Sequence, residues 1–314
     1  MDGIIDNKVL ITQMTQLFII MFAGYMLFKF KYFTVEFNKR LTRLILDVTL
    51  PLMILSSVLG QTGKKEYGKI AEVIAVSLAI YMVLPIISVI VIKILRFRKE
   101  EQGLYIFMHT YSNVGFMGFP IINALYGEKA LLYAAILNIM FNLSIYSVGI
   151  IIVNYGSGKK EAMNLKHLLS PGILGSIAAL LLYFVPVKFP VAVTGAVDSI
   201  GHLTSPLAML LIGSNLANMK LREVFNDWRV YMFAVVKQFI VPMLCWPVLY
   251  YAISDEFIRG VIFVLILMPV ANTAVLYATR YEVGEKLATK NVFMTTVLSI
   301  ITIPVAFMFL TVFS

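Results

Sequence analysis

The sequence predicts an all-α integral membrane protein with ten transmembrane helices in two inverted five-helix repeats. Helices four and nine are expected to be broken near their centres. Three observations predict the membrane class and the repeats. First, 60% of the 314 residues are hydrophobic and only 14% are charged, with a mean hydropathy of +0.87. A soluble domain is about 45–50% apolar and about 25% charged. Second, ten apolar runs lie between charged breaks, each near the roughly 20 residues that span a bilayer. Third, the two halves share landmarks at a nearly constant offset. The composition excludes a water-soluble globule and a disordered chain.

The runs lie near 8–28, 43–60, 70–95, 103–126, 129–153, 168–186, 192–217, 228–252, 256–279 and 286–313. The first follows Asp2 and Asp6 rather than a basic region and ends in Phe28-Lys29-Phe30-Lys31. It is therefore expected to be a retained span and not a cleaved leader. The loops are too short for a soluble catalytic domain. Lysine and arginine number 26 against 17 acidic residues. With the N-terminus outside, 18 of the 26 fall in odd-numbered loops and seven on the other side, Lys8 at the N-terminal end and six at even-numbered loops. Cytoplasmic loops carry the basic excess. Both termini are therefore expected outside, in a multi-pass cell-membrane protein (the inner membrane if the source is bacterial). No Arg-rich stripe alternates with aromatics, which excludes nucleic acid as a partner.

Gly127-Glu128-Lys129 and Gly284-Glu285-Lys286 are 157 residues apart, half the chain. Thr49-Leu50-Pro51-Leu52 is echoed by Thr204-Ser205-Pro206-Leu207 at an offset of 155, and Asn142 maps onto Ser299. These matches divide the chain into repeats at 1–157 and 158–314. Five helices is an odd number, so two copies must insert with opposite topology, a design that gives secondary transporters two equivalent states.

The fourth run contains Ser112-Asn113-Val114-Gly115-Phe116-Met117-Gly118-Phe119-Pro120. The ninth contains Met268-Pro269-Val270-Ala271-Asn272-Thr273. Proline inside a helix removes a backbone bond and clashes with the preceding turn. In lipid such breaks persist only where protein or a water-filled cavity surrounds them. A matched pair of interruptions points to a midplane binding site. Freed N–H groups at a half-helix start suit a carboxylate, and freed carbonyls suit a cation. Candidate binding or crossing residues are Ser112, Asn113, Gly115, Pro120, Pro269, Asn272 and Thr273. The two asparagines either bind substrate or cap the freed backbone. Pro51 and Pro206 have few polar neighbours and read as kinks.

Asp47, His109, Asn138 and Asn142 are candidates for coupling or gating, and Lys237 is a further charge within a run. Asp47 carries a coupling proton or pairs with Arg43 one turn back. His109 titrates or packs through a hydrogen bond. Asn138 and Asn142 share a helix face and either address the broken helix or join helices. Lys237 meets an anionic group or snorkels to the headgroups. Three histidines and one cysteine leave no thiol–imidazole metal cage, so no metal and no cofactor are expected. Cys245 reads as packing. Neither His-Glu-x-x-His nor Gly-x-Ser-x-Gly occurs, so an enzyme is not expected.

These motifs, over essentially the whole chain, resemble the auxin efflux carrier family, whose members include plant auxin transporters and bacterial carriers of malate or malonate. The short fifth loop, about Asn154 to His167, is similar to the compact prokaryotic type. The resemblance implies a fold shared with bile acid sodium symporters. It implies a scaffold of helices one, two, six and seven, and a transport domain of helices three to five and eight to ten. It places the crossing at Asn113 and Pro120 with Pro269 and Asn272. No carboxylate lies between Gln102 and Gly127 or between Phe257 and Tyr281, which favours a proton over sodium as coupling ion. The expectation is a carrier moving a small organic anion, a dicarboxylate or an auxin-like weak acid, across the bilayer by an elevator-like or rocking motion. A homodimer stays open. A broken-helix channel is the alternative, followed by an intramembrane enzyme.

Overall fold

The computed structural model describes residues 7–59, 66–155, 171–185, 187, 189–218 and 227–313. The fifth loop, the 157/158 boundary and several loop lysines, among them Lys64, Lys65, Lys159, Lys160, Lys166 and Lys188, lie outside the described residues. All regular structure among the described residues is helical. In chain order it comprises α1 Asn7–Lys29, α2 Val35–Leu59, α3 Tyr67–Ile94, α4 Lys99–Thr110, α5 Val114–Tyr126, α6 Lys129–Ile145, α7 Val148–Val153, α8 Pro171–Phe184, α9 Val191–Asn218, α10 Trp228–Ala252, α11 Glu256–Leu267, α12 Thr273–Arg280 and α13 Glu285–Phe313. Every one of the ten apolar runs contains helix. Six helices (α1, α2, α3, α9, α10 and α13) are individually long and apolar enough to cross a membrane. The fourth and ninth runs are interrupted, and the fifth bends between α6 and α7.

The second run extends further back than its apolar stretch. Thr34 caps α2 by accepting the Phe37 N–H at 3.2 Å, so the helix begins eight residues before the expected 43. Its first turns carry Lys39 and Arg40, which apolar counting leaves out, and Arg43 at the edge of the run. Three helices contain one wide turn each, at Ile45–Thr49, Val114–Gly118 and Val236–Ile240. Each turn closes with an N–H reaching back five residues, as from Leu50 to Ile45. Each is followed, two residues on, by a proline: Pro51, Pro120 or Pro242. A widened turn gives the ring room and absorbs the missing bond, so proline bends these helices without breaking them.

α1 runs along the second half of α9, and glycines set how close they come. A Cβ added to Gly213 would lie 1.7 Å from the Met21 carbonyl oxygen, and one on Gly24 would lie 2.1 Å from that of Leu210. Small residues let backbones approach where lipid offers no hydrophobic drive. α2 packs against α8, where Gly175 meets Pro51, and against the first half of α9, where Gly201 meets Met53. Asn38 on α2 donates to Asn215 on α9 at 2.9 Å, while Ser214 donates back to Asn38 at 2.9 Å.

The buried core surrounds the interrupted segments. Tyr105, Phe107, Tyr111, Phe119, Phe233 and Phe263 are fully buried. Large apolar side chains such as Phe22, Met82, Ile86 and Leu244 are instead exposed on outer faces, as a lipid-facing surface requires. At the start of α11, Asp255 accepts the Ile258 N–H at 3.1 Å and pairs with Lys69 at 2.9 Å. Burial pushes the Asp255 carboxyl up, but the Lys69 ammonium and the backbone N–H outweigh it and hold the group below its ordinary range.

Candidate functional site

The two interruptions meet. α4 ends at Thr110 and α5 begins at Val114, while α11 ends at Leu267 and α12 begins at Thr273. Between them Ser112 and Val270 form an antiparallel bridge. Asn113 N–H donates to the Pro269 carbonyl at 2.7 Å, and Ala271 N–H donates to the Tyr111 carbonyl at 3.1 Å. Each break therefore satisfies backbone groups that the other frees, which lipid could not do. Pro269 sits inside its break and can give no N–H. Pro120 lies past the first break, in the part of α5 that follows the wide turn.

The first break is sealed. Ser112, Asn113 and His109 are 6%, 4% and 2% exposed. The Asn113 side chain accepts the Phe116 N–H at 3.3 Å, a capping bond at the start of α5. His109 Nδ1 shares a 2.8 Å hydrogen bond with the Ser88 hydroxyl on α3, and Thr110 donates to the same hydroxyl at 2.9 Å. Lys237 of α10, 3% exposed, donates from Nζ to the His109 carbonyl at 2.9 Å and to Ser112 Oγ at 3.0 Å. It does not snorkel. It lies ten residues into a 25-residue helix, and at 1.5 Å per residue the headgroups lie beyond its reach. Desolvating an ammonium costs several kcal/mol. Hydrogen bonds to a charged donor contribute about 1.5–3 kcal/mol each, and the negative end of α4 adds to them.

The second break is open on one side. Asn272 and Thr273, at the start of α12, are half-buried and line a cavity of 690 Å³. Its wall includes Phe116 from the first break's wide turn, Asn215 and Asn218 from α9, and Leu46 from α2. Lys39, Arg43, Lys286 and Lys290 also line it, against the single carboxylate of Glu285. The α12 N-terminus and four cations make the cavity electropositive. Val270 N–H, on the closed side of the break, donates to Thr295 Oγ1 at 3.1 Å.

The other expected residues are dispersed. Gly115 is half-buried beside Phe116, with open space where a Cβ would sit. Asp47 is exposed on α2 and lies outside the crossing. Asn142 donates to the Asn138 carbonyl of its own helix at 2.7 Å, and Asn138 is buried. α6 reaches the first break instead through Ser144, which shares a 2.9 Å hydrogen bond with the Tyr111 hydroxyl. Glu128, Asp198 and His202 form a cluster of metal-ligating type. His202 already pairs with both carboxylates at 3.2 Å, joining the α5–α6 turn to α9.

Residues 9–307 match the family described as Membrane transport protein. The chain is also similar to an uncharacterized transporter of Methanocaldococcus jannaschii. The two are 23% identical over 296 residues, which cover 91% of this chain and 94% of that protein.

Proposed function

This chain belongs to the membrane transport protein family, the auxin efflux carrier family that its motifs resemble, and from that premise we propose that it is a secondary carrier of a small organic anion. Family and relative make it a multi-pass membrane transporter. The anion class rests on one observation: the half-helix N-terminus at Asn272 and Thr273 opens into a 690 Å³ cavity with four basic residues and one acidic residue on its wall. A carboxylate would accept from the Asn272 amide and the Thr273 hydroxyl at the start of α12, where the helix dipole favours negative charge. Lys39, Arg43, Lys286 and Lys290 would draw the anion in.

Ten spans in two inverted repeats, 1–157 and 158–314, form part of this proposal. Two observations support the repeats. Gly127 and Gly284, at the offset of 157, both adopt positive φ, 73° and 63°. The breaks pair Ser112 with Val270, close to the same offset. The proposed mechanism is alternating access. The α1–α2–α8–α9 group would serve as scaffold, while the crossing moves with α3–α7 and α10–α13. In this reading the basic residues of the cavity wall would face the cytoplasm, with both termini outside.

Counterflow in proteoliposomes tests the reading. Vesicles preloaded with unlabelled malonate should accumulate labelled malonate transiently above equilibrium. A channel would only equilibrate it. If no mono- or dicarboxylate gives counterflow or raises the melting temperature of the purified protein, the anion-carrier reading is wrong.

A further inference from the structure

We propose that the Lys237 ammonium is a tethered cation that takes, at the crossing, the place a coupling metal ion would occupy, so that transport needs no sodium. The inference rests on the carrier reading above and concerns a different part of the crossing from the anion cavity.

The first break turns a helix C-terminus and a hydroxyl toward one buried point. The His109 carbonyl lies in the last turn of α4, and Ser112 lies in the extended link. A carbonyl at a half-helix end together with a hydroxyl is the oxygen set that holds an alkali cation in transporters with unwound helices. Here Nζ of Lys237 sits 2.9 Å from the one and 3.0 Å from the other. Both groups are buried, and among the described residues no carboxylate pairs with Lys237. The positive charge therefore answers to main-chain and hydroxyl oxygens, as a bare ion would.

The position is constrained from both sides. Lys237 lies in the wide turn Val236–Ile240 that precedes Pro242, and that turn packs against α11 and α13. Its neighbour Gln238 is fully buried, and neither side-chain polar atom has a partner. A polar pair this deep in an apolar helix belongs to a site and not to a lipid-facing surface. The tether joins α10 to the end of α4, so the charge travels with the crossing and is never released. A carrier built this way carries its cation as part of the protein.

Melting of the purified full-length protein in choline, sodium and methylammonium chloride at equal concentration tests this. Choline is too large for the gap that Lys237→Ala leaves. Lys237→Ala should melt below wild type in choline chloride. Sodium or methylammonium should raise its melting temperature by about 2–4 °C, while wild type should respond alike to all three salts. Equal melting of Lys237→Ala and wild type, or an equal response of the variant to all three salts, overturns the proposal. If Lys237→Ala yields no folded protein, Lys237→Met decides. It keeps the bulk without the charge, so it should melt below wild type in every salt, and a Met variant as stable as wild type overturns the proposal. Wild-type malonate counterflow should be undiminished in sodium-free choline buffer, and a sodium requirement also overturns it. Absence of counterflow with any organic anion in either buffer instead defeats the carrier reading, and the melting series still decides the role of Lys237.

Discussion

The two breaks share a backbone design and differ in what surrounds them. At the first, His109, Ser112 and Asn113 are almost wholly buried and a lysine closes the helix end. At the second, Asn272 and Thr273 face a cavity with a basic wall. One break thus presents a carbonyl and a hydroxyl to a cation held by the protein, and the other sets the start of α12 against a cavity. The ends of a helix carry opposite partial charges, so a crossing of two broken helices offers both kinds of seat. In this chain a side chain fills the first, and the second faces the cavity.

That contrast predicts opposite responses to an added negative charge. Lys237→Glu places a carboxylate against the negative end of α4 and should cost about 3–5 kcal/mol, seen as loss of the monodisperse species in size-exclusion chromatography. Asn272→Asp should leave a folded protein with near wild-type melting but reduce malonate counterflow about tenfold or more, because a like charge meets the anion. If both variants behave alike, the two breaks are not differentiated as described.

Smaller effects refine the picture. Asn113→Ala removes a cap worth about 1 kcal/mol and should lower the melting temperature by about 2–4 °C. Lys286→Gln with Lys290→Gln should raise the KM for malonate about two- to fivefold with little change in kcat, and 0.5 M salt should shrink the difference. The smallest effect concerns the Lys69–Asp255 tie at the helix leading into the second break. The Asp255 carboxyl is held below its ordinary range, so the tie stabilises at neutral pH and is lost as pH falls through the lowered value. Asp255→Asn should cost less than about 1 kcal/mol at pH 7, and its melting difference from wild type should shrink as pH falls through that lowered value.

The sequence makes the breaks legible because proline and glycine in a lipid-embedded run must be accommodated somewhere. It places them less well. Pro269 lies in its break, but Pro120 lies seven residues beyond the extended link at Asn113, since a wide turn absorbs it. Asn113 and Asn272 look equivalent in sequence, yet one is buried as a cap and the other is half-open to a cavity. That difference arises from α2, α9 and α13, whose cavity residues Arg43, Asn215 and Lys290 form no contiguous motif. Depth along a helix was the missed signal for Lys237: a cation ten residues from a helix start cannot reach the headgroups. Asp47 shows the converse. It falls inside an apolar run, but α2 starts at Val35 and turns that residue to the exposed side.

The pairing of the breaks itself is open to direct measurement. Ser112 and Val270 face each other between the two hydrogen bonds of their bridge, the close type of antiparallel pair, with Cα atoms about 4.5 Å apart. That spacing suits a disulfide. In a Cys245→Ser background, Ser112→Cys with Val270→Cys should oxidise almost completely within one chain, leaving no thiol to react with a maleimide reagent after denaturation. Two thiols that stay free under oxidising conditions, in protein that is folded and monodisperse, would contradict the crossing on which the account is built.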